Sequence, residues 1–393
     1  MTDPKTVSTG VPQLDAALGG LYWGDNVVWE LDDGGVLEPF VAGLLRDREQ
    51  FDRIVFVRFE DGGEDLRAPY PDAEVLDAGP GSAIADPGPL LAAVRECARV
   101  PHAVMIFDSL GALSARWGET MAERFFTSAC PMLLDLWAVA YWSLTPSHHS
   151  ASLRQTVDAV TQCVIVLGGN RLRIAKAEGR PPGVQGSVFY LHPSGSRAEL
   201  EGAPTVARLG GALRAIRIQR DLSQGELAEL AGVSASAISQ VERGRRGLAV
   251  DTLLELTSRL NMTIDELLRG EIALGYRLAR APERTNRLDQ LFPLLDDPRV
   301  GLRLQLSHLS PGHSASPDTP HEGVELIAVG AGLVQVTLPT GRPVLRQGEA
   351  LLLERSGEVG WRNIGEEDAL VFWVLHEVPG PSRPPPYRPH ATA

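Results

Sequence analysis

Cysteine is scarce in this 393-residue sequence: Cys97, Cys130 and Cys163 form no CxxC pair and are odd in number. That argues against a disulfide framework and fits reduced structural thiols in a cytoplasmic protein. Long apolar runs are missing as well. No window approaches the roughly 18 consecutive apolar residues of a membrane span, so no membrane partner is expected. The opening stretch MTDPKTVSTGVPQLD has no apolar segment behind a basic one and does not read as a secretory leader. No internal repeat is present. A positive overall charge is also lacking, since the chain carries −13, the opposite of what phosphate binding needs if the charge were spread evenly.

What is present is a multidomain pattern. An apolar fraction of 44% and a charged fraction of 22% are ordinary for globular chains, and the length allows two to four domains at roughly 100 to 200 residues each. Residues 1–202 alternate apolar runs (NVVWEL, RIVFVRF, AVMIFDSL, LWAVAYWSL, CVIVLGG) with helical stretches. That is the pattern of an α/β domain with a largely parallel sheet. GAPTV, beginning at Gly202, reads as a linker. Residues 203–270 are helical in pattern and residues 271–287 form a second linker. Short alternating strands over 288–379 read as a small all-β domain. The proline-rich tail 380–393 reads as disordered.

Charge is unevenly distributed along this pattern. From Arg208 to Gly247 seven basic residues face four acidic ones, a local +3 within an acidic chain. In the same segment Ser223, followed three residues later by Glu226, is a capping box that starts a helix. Leu227, Ala228 and Ala231 give that helix one apolar face. Gly232 supplies a left-handed terminator and Ser234 a second cap, so two short helices meet at a tight turn. The second helix buries Ile238 and Val241 and leaves Ala235, Ser236, Ser239 and Gln240 outside.

These about 60 residues resemble the phage-repressor-like (XRE-type) helix-turn-helix family. The resemblance rests on Arg217, Leu222, Gln224, Leu227, Ala228, Gly232, Val233, Ser234, Ile238, Glu242, Gly244, Leu253 and Leu260. It implies a DNA-contacting set of Gln224, Ser234, Ala235, Ser236, Ser239, Gln240, Arg243, Arg245 and Arg246. Within that set, Gln224 contacts phosphate while Ala235, Ser236 and Gln240 read the major groove. It also implies a structural ion pair between Arg217 and Glu242.

TGVPQLDAALGG, Phe59-Glu60-Asp61, AVMIFDSLGALS and RLRIAKAEGRP resemble the RecA-like core of KaiC and RadA proteins. In that comparison Asp108 takes the Mg²⁺ position and Glu60 the acidic position after the preceding strand. A phosphate loop needs GxxxxGK[ST], because backbone N–H groups, Lys and a hydroxyl act together on phosphates and Mg²⁺. Here Val36 stands for Lys and Leu37 for Ser or Thr, with Glu30, Asp32 and Asp33 beside them. The expectation is a pseudo-ATPase with Glu60 and Asp108 as inherited scaffold positions.

SPGHSASPDTPHEGVELIAVGAGLVQVTL and LRQGEALLLERSGEVGWRNIG resemble a cupin, whose metal form takes HxHxxxE and a further His four residues before Asn. His321 and Glu325 match, but Thr319 and Val359 replace the other two ligands, so no metal is expected. His308, His313 and His376 are the histidines that would have to substitute. His321, Glu325 and Trp361 instead mark a candidate pocket for a small organic effector.

The expected fold class is therefore multidomain: an α/β RecA-like domain, an all-α helix-turn-helix domain and an all-β cupin barrel. The expected function is a cytoplasmic, nucleoid-associated transcriptional regulator that is no enzyme and holds no cofactor. Its expected partners are double-stranded DNA, a second copy of itself and a small-molecule effector. The alternatives are a RecA/KaiC-type nucleotide-binding protein, a metal-dependent cupin enzyme, or an adaptor that uses the helix-turn-helix to bind protein.

Overall fold

The structure is a computed structural model. It describes residues 6–32, 37–59, 70–71, 73–84, 86–180, 184–194, 197–202, 205–264, 267, 278–280, 289–298, 300–317, 323–353 and 359–377. The chain divides into two compact units, Met1–Leu278 and Ala279–Ala393.

In the first unit, β1 (Thr6–Val7) pairs with β2 (Leu21–Tyr22) around α1 (Pro12–Leu18). The succeeding elements are β3 (Asn26–Leu31), α2 (Glu38–Leu44), β4 (Arg53–Arg58), β5 (Glu74–Asp77), α3 (Pro87–Ala98), β6 (Ala103–Phe107), α4 (Leu110–Trp117), α5 (Glu119–Asp135), β7 (Val139–Leu144), α6 (Ala151–Val160), β8 (Cys163–Gly168), β9 (Arg171–Ala177), β10 (Val188–Ser194) and β11 (Arg197–Gly202). They form a nine-stranded sheet in the order β11-β10-β9-β8-β3-β7-β6-β4-β5. The six strands from β8 to β5 run parallel and the remaining three are antiparallel. The apolar runs became strands because a parallel strand covered on both faces needs apolar side chains on both. On one face Trp29 stacks on Phe40; on the other Phe107 stacks on Trp142 with ring centroids 3.5 Å apart. Asn26 links the layers, donating to Cys130 O at 3.0 Å and accepting from Trp142 Nε1 at 3.1 Å.

The helical part belongs to the same unit. It comprises α7 (Thr205–Gln219), α8 (Gln224–Ala231), α9 (Ala235–Glu242) and α10 (Val250–Arg259) around Leu213, Ile216, Leu227, Ile238, Val241 and Leu256. GAPTV is not the linker its composition indicates: β11 ends at Gly202 and α7 already begins at Thr205. A Cβ on Gly210 would fall 1.9 Å from Val241 O, so α7 and the end of α9 meet backbone to backbone.

The second unit holds β12 (Gln290–Asp297), β13 (Leu302–Leu309), β14 (Ser314–Ala315), β15 (Val324–Ala331), β16 (Leu333–Thr337), β17 (Val344–Arg346), β18 (Ala350–Leu353), β19 (Gly360–Asn363) and β20 (Ala369–His376). Two antiparallel sheets, β12-β13-β20-β15-β18 and β14-β19-β16-β17, enclose Ile327, Val334, Val336, Trp361 and Trp373, the cupin-type barrel of the third part. The alternation of β20, with Ala369, Val371, Trp373 and Leu375 inward, is what a strand with one buried face requires. The second linker, apart from 278–280 at its middle, and the tail lie outside the described residues.

Candidate nucleic-acid interface

Local chemistry fixes the helix-turn-helix. Ser223 Oγ accepts from Glu226 N at 3.1 Å while the Glu226 carboxylate accepts from Ser223 N at 2.7 Å, closing the capping box. Those hydrogen bonds hold the Glu226 carboxyl below its usual range. Gly232, at φ +64°, ends α8 in the left-handed region, and Ser234 Oγ accepts from Ala237 N at 3.2 Å to start α9. α9 then buries Ala237, Ile238, Val241 and Glu242. Ala235, Ser236 and Gln240 are exposed and Ser239 is half-buried, so one side of α9 presents short and amide side chains to solvent.

Three arginines follow this helix on a turn through Gly244, at φ +69°. Arg243 folds back, its Nε donating to Ser239 O at 3.1 Å and its Nη2 to the Ser239 hydroxyl. Arg245 and Arg246 are exposed. Every cation from Arg208 to Arg259 is an arginine; the whole chain has two lysines, Lys5 and Lys176.

Behind α9, Arg217 Nε donates to Glu242 Oε1 at 2.6 Å and its Nη2 to Oε2 at 3.3 Å. The Glu242 side chain is 4% exposed and that of Arg217 17%. This hydrogen bond is the main reason the Arg217 guanidinium holds its proton more tightly than usual. Arg217 also donates to Leu222 O at 3.1 Å, tying the α7–α8 turn to the pair. Gln224, expected at phosphate, turns its amide nitrogen inward to Glu242 Oε2 at 2.8 Å. One of its two N–H donors is left for another partner.

The strand ends of the α/β part are arranged differently. Asp108 Oδ2 accepts from Phe59 N at 2.8 Å and Oδ1 from Ser109 N at 2.6 Å, fastening the end of β6 to the end of β4. Asp32 Oδ2 accepts from Gly169 N at 2.6 Å. Leu37 is buried just before α2, and Glu38 lies in that helix's first turn. The start of this helix thus carries one buried apolar side chain and one carboxylate. Asp33, Val36, Glu60 and Asp61 lie outside the described residues.

Inside the barrel Glu325 is fully buried and accepts from Trp373 Nε1 at 2.8 Å, and Trp361 Nε1 donates to Ser307 Oγ at 3.1 Å. Ser307 and Trp373 are interior groups that sequence reasoning missed; the alternation of LRLQLSHL and ALVFWVLH carries the signal. Val359 is buried. His308 pairs with Asp368 at 3.5 Å and His313 with Asp289 at 3.6 Å. Among the described residues no three His, Cys, Asp or Glu gather to hold a metal, and no helix is long and apolar enough to cross a membrane. Thr319 and His321 lie outside the described residues.

The helix-turn-helix family model HTH_3 matches residues 213–267. The HTH-type transcriptional regulator DdrOP3 of Deinococcus deserti is 33% identical over 92 residues, covering 23% of this chain and 67% of its own length. The HTH-type transcriptional regulator SutR of Escherichia coli is 25% identical over 170 residues, 43% of this chain and 94% of that protein. Among solved structures, a KaiC-like protein from Pyrococcus horikoshii is similar with a TM-score of 0.40 and 15% identity, over 50% of this chain and 98% of that one. With capped helices, an outward α9 and a partly buried Arg217–Glu242 pair in the matched segment, the chain belongs to the XRE-type helix-turn-helix transcriptional regulators.

Proposed function

We propose that the protein is a sequence-specific regulator that binds double-stranded DNA as a homodimer or larger assembly. In this reading α9 enters the major groove, and helix-turn-helix dimers read two half-sites about one helical turn apart. The observation that carries it is the exposed side of α9, with Ala235, Ser236 and Gln240 free of the core and Arg245 and Arg246 just beyond. Gln240 is the base reader, since an amide makes a bidentate contact to adenine worth about 1–3 kcal/mol of discrimination. Arg243, Arg245 and Arg246 contact phosphate, and Arg243 releases Ser239 to do so. The net charge of −13 favours a docked orientation that presents only the basic segment to DNA.

The α/β part acts as a scaffold without nucleotide hydrolysis, a reading supported by the engaged carboxylates of Asp108 and Asp32 and by buried Leu37. The barrel takes a small organic effector without a metal at the pocket marked by His321, Glu325 and Trp361, of which Glu325 and Trp361 are buried in its interior. The protein works on the chromosome in the cytoplasm. The test is to select bound fragments from a random duplex pool with the full chain and repeat with Gln240→Ala. A single enriched motif is expected, lost or relaxed at one position in the variant while random-duplex affinity is kept. Equal losses on selected and random duplexes would show that Gln240 does not read bases.

A further inference from the structure

A second polar site lies away from α9, on the sheet face shared by α6 and α7. In the β8–β9 pair Arg173 lies opposite Val166, and in the parallel β3–β8 pair Val166 lies beside Glu30. Across the other edge Arg173 faces Val188 of β10. Glu30, Val166, Arg173 and Val188 thus make one row across four strands, with their side chains on one face. Arg171, two residues from Arg173, shares that face and lies opposite Tyr190. α6 borders the row, because Lys176 Nζ donates to the carbonyls of Asp158 and Ala159. α7 borders it on the other side, where a Cβ on Gly211 would sit 3.8 Å from Val188 Cγ2.

Arg154 and Asp158, one turn apart on α6, and Arg214, one turn past Gly211 on α7, lie near enough to the row for their charges to act on Glu30 and Arg173. Four guanidiniums therefore converge with two carboxylates. Among the described residues none of the six closes an ion pair with another within 4.0 Å, and the Nε atoms of Arg154 and Arg171 are buried without a hydrogen-bond partner. The groups nevertheless sense one another. The charge of Arg173 is disfavoured first by burial, then favoured by Glu30 and disfavoured by Arg171 and Arg214, although its side chain reaches solvent. Glu30 is pushed upward by burial and by Asp158 against the pull of Arg173 and Arg154. Unmet guanidinium donors in a cluster with an excess of positive charge are what a planar or tetrahedral oxyanion satisfies, through paired N–H···O contacts.

We propose that this groove between α6 and α7 binds a small phosphorylated metabolite, with its phosphate on Arg171, Arg173 and Arg214 and its hydroxyl or amine donors on Glu30 and Asp158. The site goes beyond the regulator reading above and does not depend on DNA binding. A small anion is the better fit than a duplex backbone, because the Nε atoms of Arg154 and Arg171 are buried and out of a backbone's reach while Arg173 and Arg214 reach solvent. One wall of the groove is α7, the helix that carries Arg217 to the recognition helix, so an occupied site fastens the sheet to the helix-turn-helix.

The test uses the full chain, with calorimetric titration of inorganic phosphate, ribose 5-phosphate and ribose. Ribose 5-phosphate should saturate one site per chain, phosphate should bind more weakly and ribose not at all. Arg173→Gln and Arg214→Gln should each weaken ribose 5-phosphate at least about tenfold, the loss of one charge-assisted hydrogen bond, whereas Asp32→Asn should leave it unchanged. Should Arg173→Gln lower the unfolding temperature, Arg171→Gln replaces it. The proposal is overturned if neither phosphate compound binds, or if both bind equally to the arginine variants. It is also overturned if those variants lose affinity for duplex DNA while small phosphates bind to no form of the protein, which would make the cluster a DNA contact.

Discussion

Replacing Glu242 by alanine removes the acceptor that serves three donors at once: Arg217 Nε at 2.6 Å, Arg217 Nη2 at 3.3 Å and Gln224 Nε2 at 2.8 Å. A fully buried pair broken on one side costs about 3–5 kcal/mol, whereas an exposed pair is worth about 0–1. Glu242 belongs to the first class at 4% exposure, but Arg217 at 17% recovers part of its hydration from solvent. The expected loss is therefore near the lower bound, about 3 kcal/mol. Glu242→Gln should cost less, because one amide oxygen still accepts from Arg217. Hydrogen exchange of the α8 and α9 amides reads this directly: their protection should fall by roughly two powers of ten while β3 and β7 keep theirs, since 1.4 kcal/mol is a factor of ten. DNA affinity should fall with it. The double variant Arg217→Ala/Glu242→Ala should be less destabilised than the sum of the single changes. If Glu242→Ala moves protection by less than threefold, the pair is solvated and the reasoning from its burial is wrong.

Three further outcomes are expected. His149 has a fully buried side chain, neither ring nitrogen of which makes a hydrogen bond, and burial lowers its pKa below 6.5. A base depressed in the folded state contributes stability that is complete above its unfolded pKa and drains away as pH falls through the folded one, so denaturant midpoints should drop from pH 7 toward pH 5. His149→Gln should flatten that slope; an unchanged slope assigns the loss to other groups. Gly210→Ala would gain about 1 kcal/mol from helix propensity alone but drives a methyl into Val241 O, and overpacking of about 1–3 kcal/mol should outweigh it. A stabilised variant in urea unfolding would contradict the close approach of α7 and α9. Replacing Arg243, Arg245 and Arg246 together should flatten the logarithmic salt dependence of DNA binding by about 0.9 for each phosphate that is no longer neutralised; an identical slope removes them from the interface.

How much was legible in the sequence follows from the range of the forces involved. Ser223, Glu226, Gly232 and Ser234 act on backbone groups within three residues, so their caps could be placed without tertiary knowledge. The runs that became β3, β4, β6, β7 and β8 declared themselves because both faces of a central strand are dry. β10 and β11 went unread: RAELEG is short, with only Ala198 and Leu200 to mark a buried face, and Pro193 speaks against a strand unless its partners are known. The inward turn of Gln224 depends on a carboxylate 18 positions away. The arginine groove depends on register between residues 30, 166, 173 and 188, which no local pattern encodes.

The all-arginine character of the helix-turn-helix surface limits how that surface can be controlled. Acetylation acts on lysine, and no lysine lies between Arg208 and Arg259, so acyl transfer cannot strip its positive charge. Guanidinium groups also stay protonated across the whole physiological range, so alkaline conditions do not discharge it. A fixed charge of this kind leaves geometry as the adjustable quantity: on the proposed reading, where α7 rests on the sheet and whether Arg243 is clasped to Ser239 or swung away would decide how much of it DNA can meet.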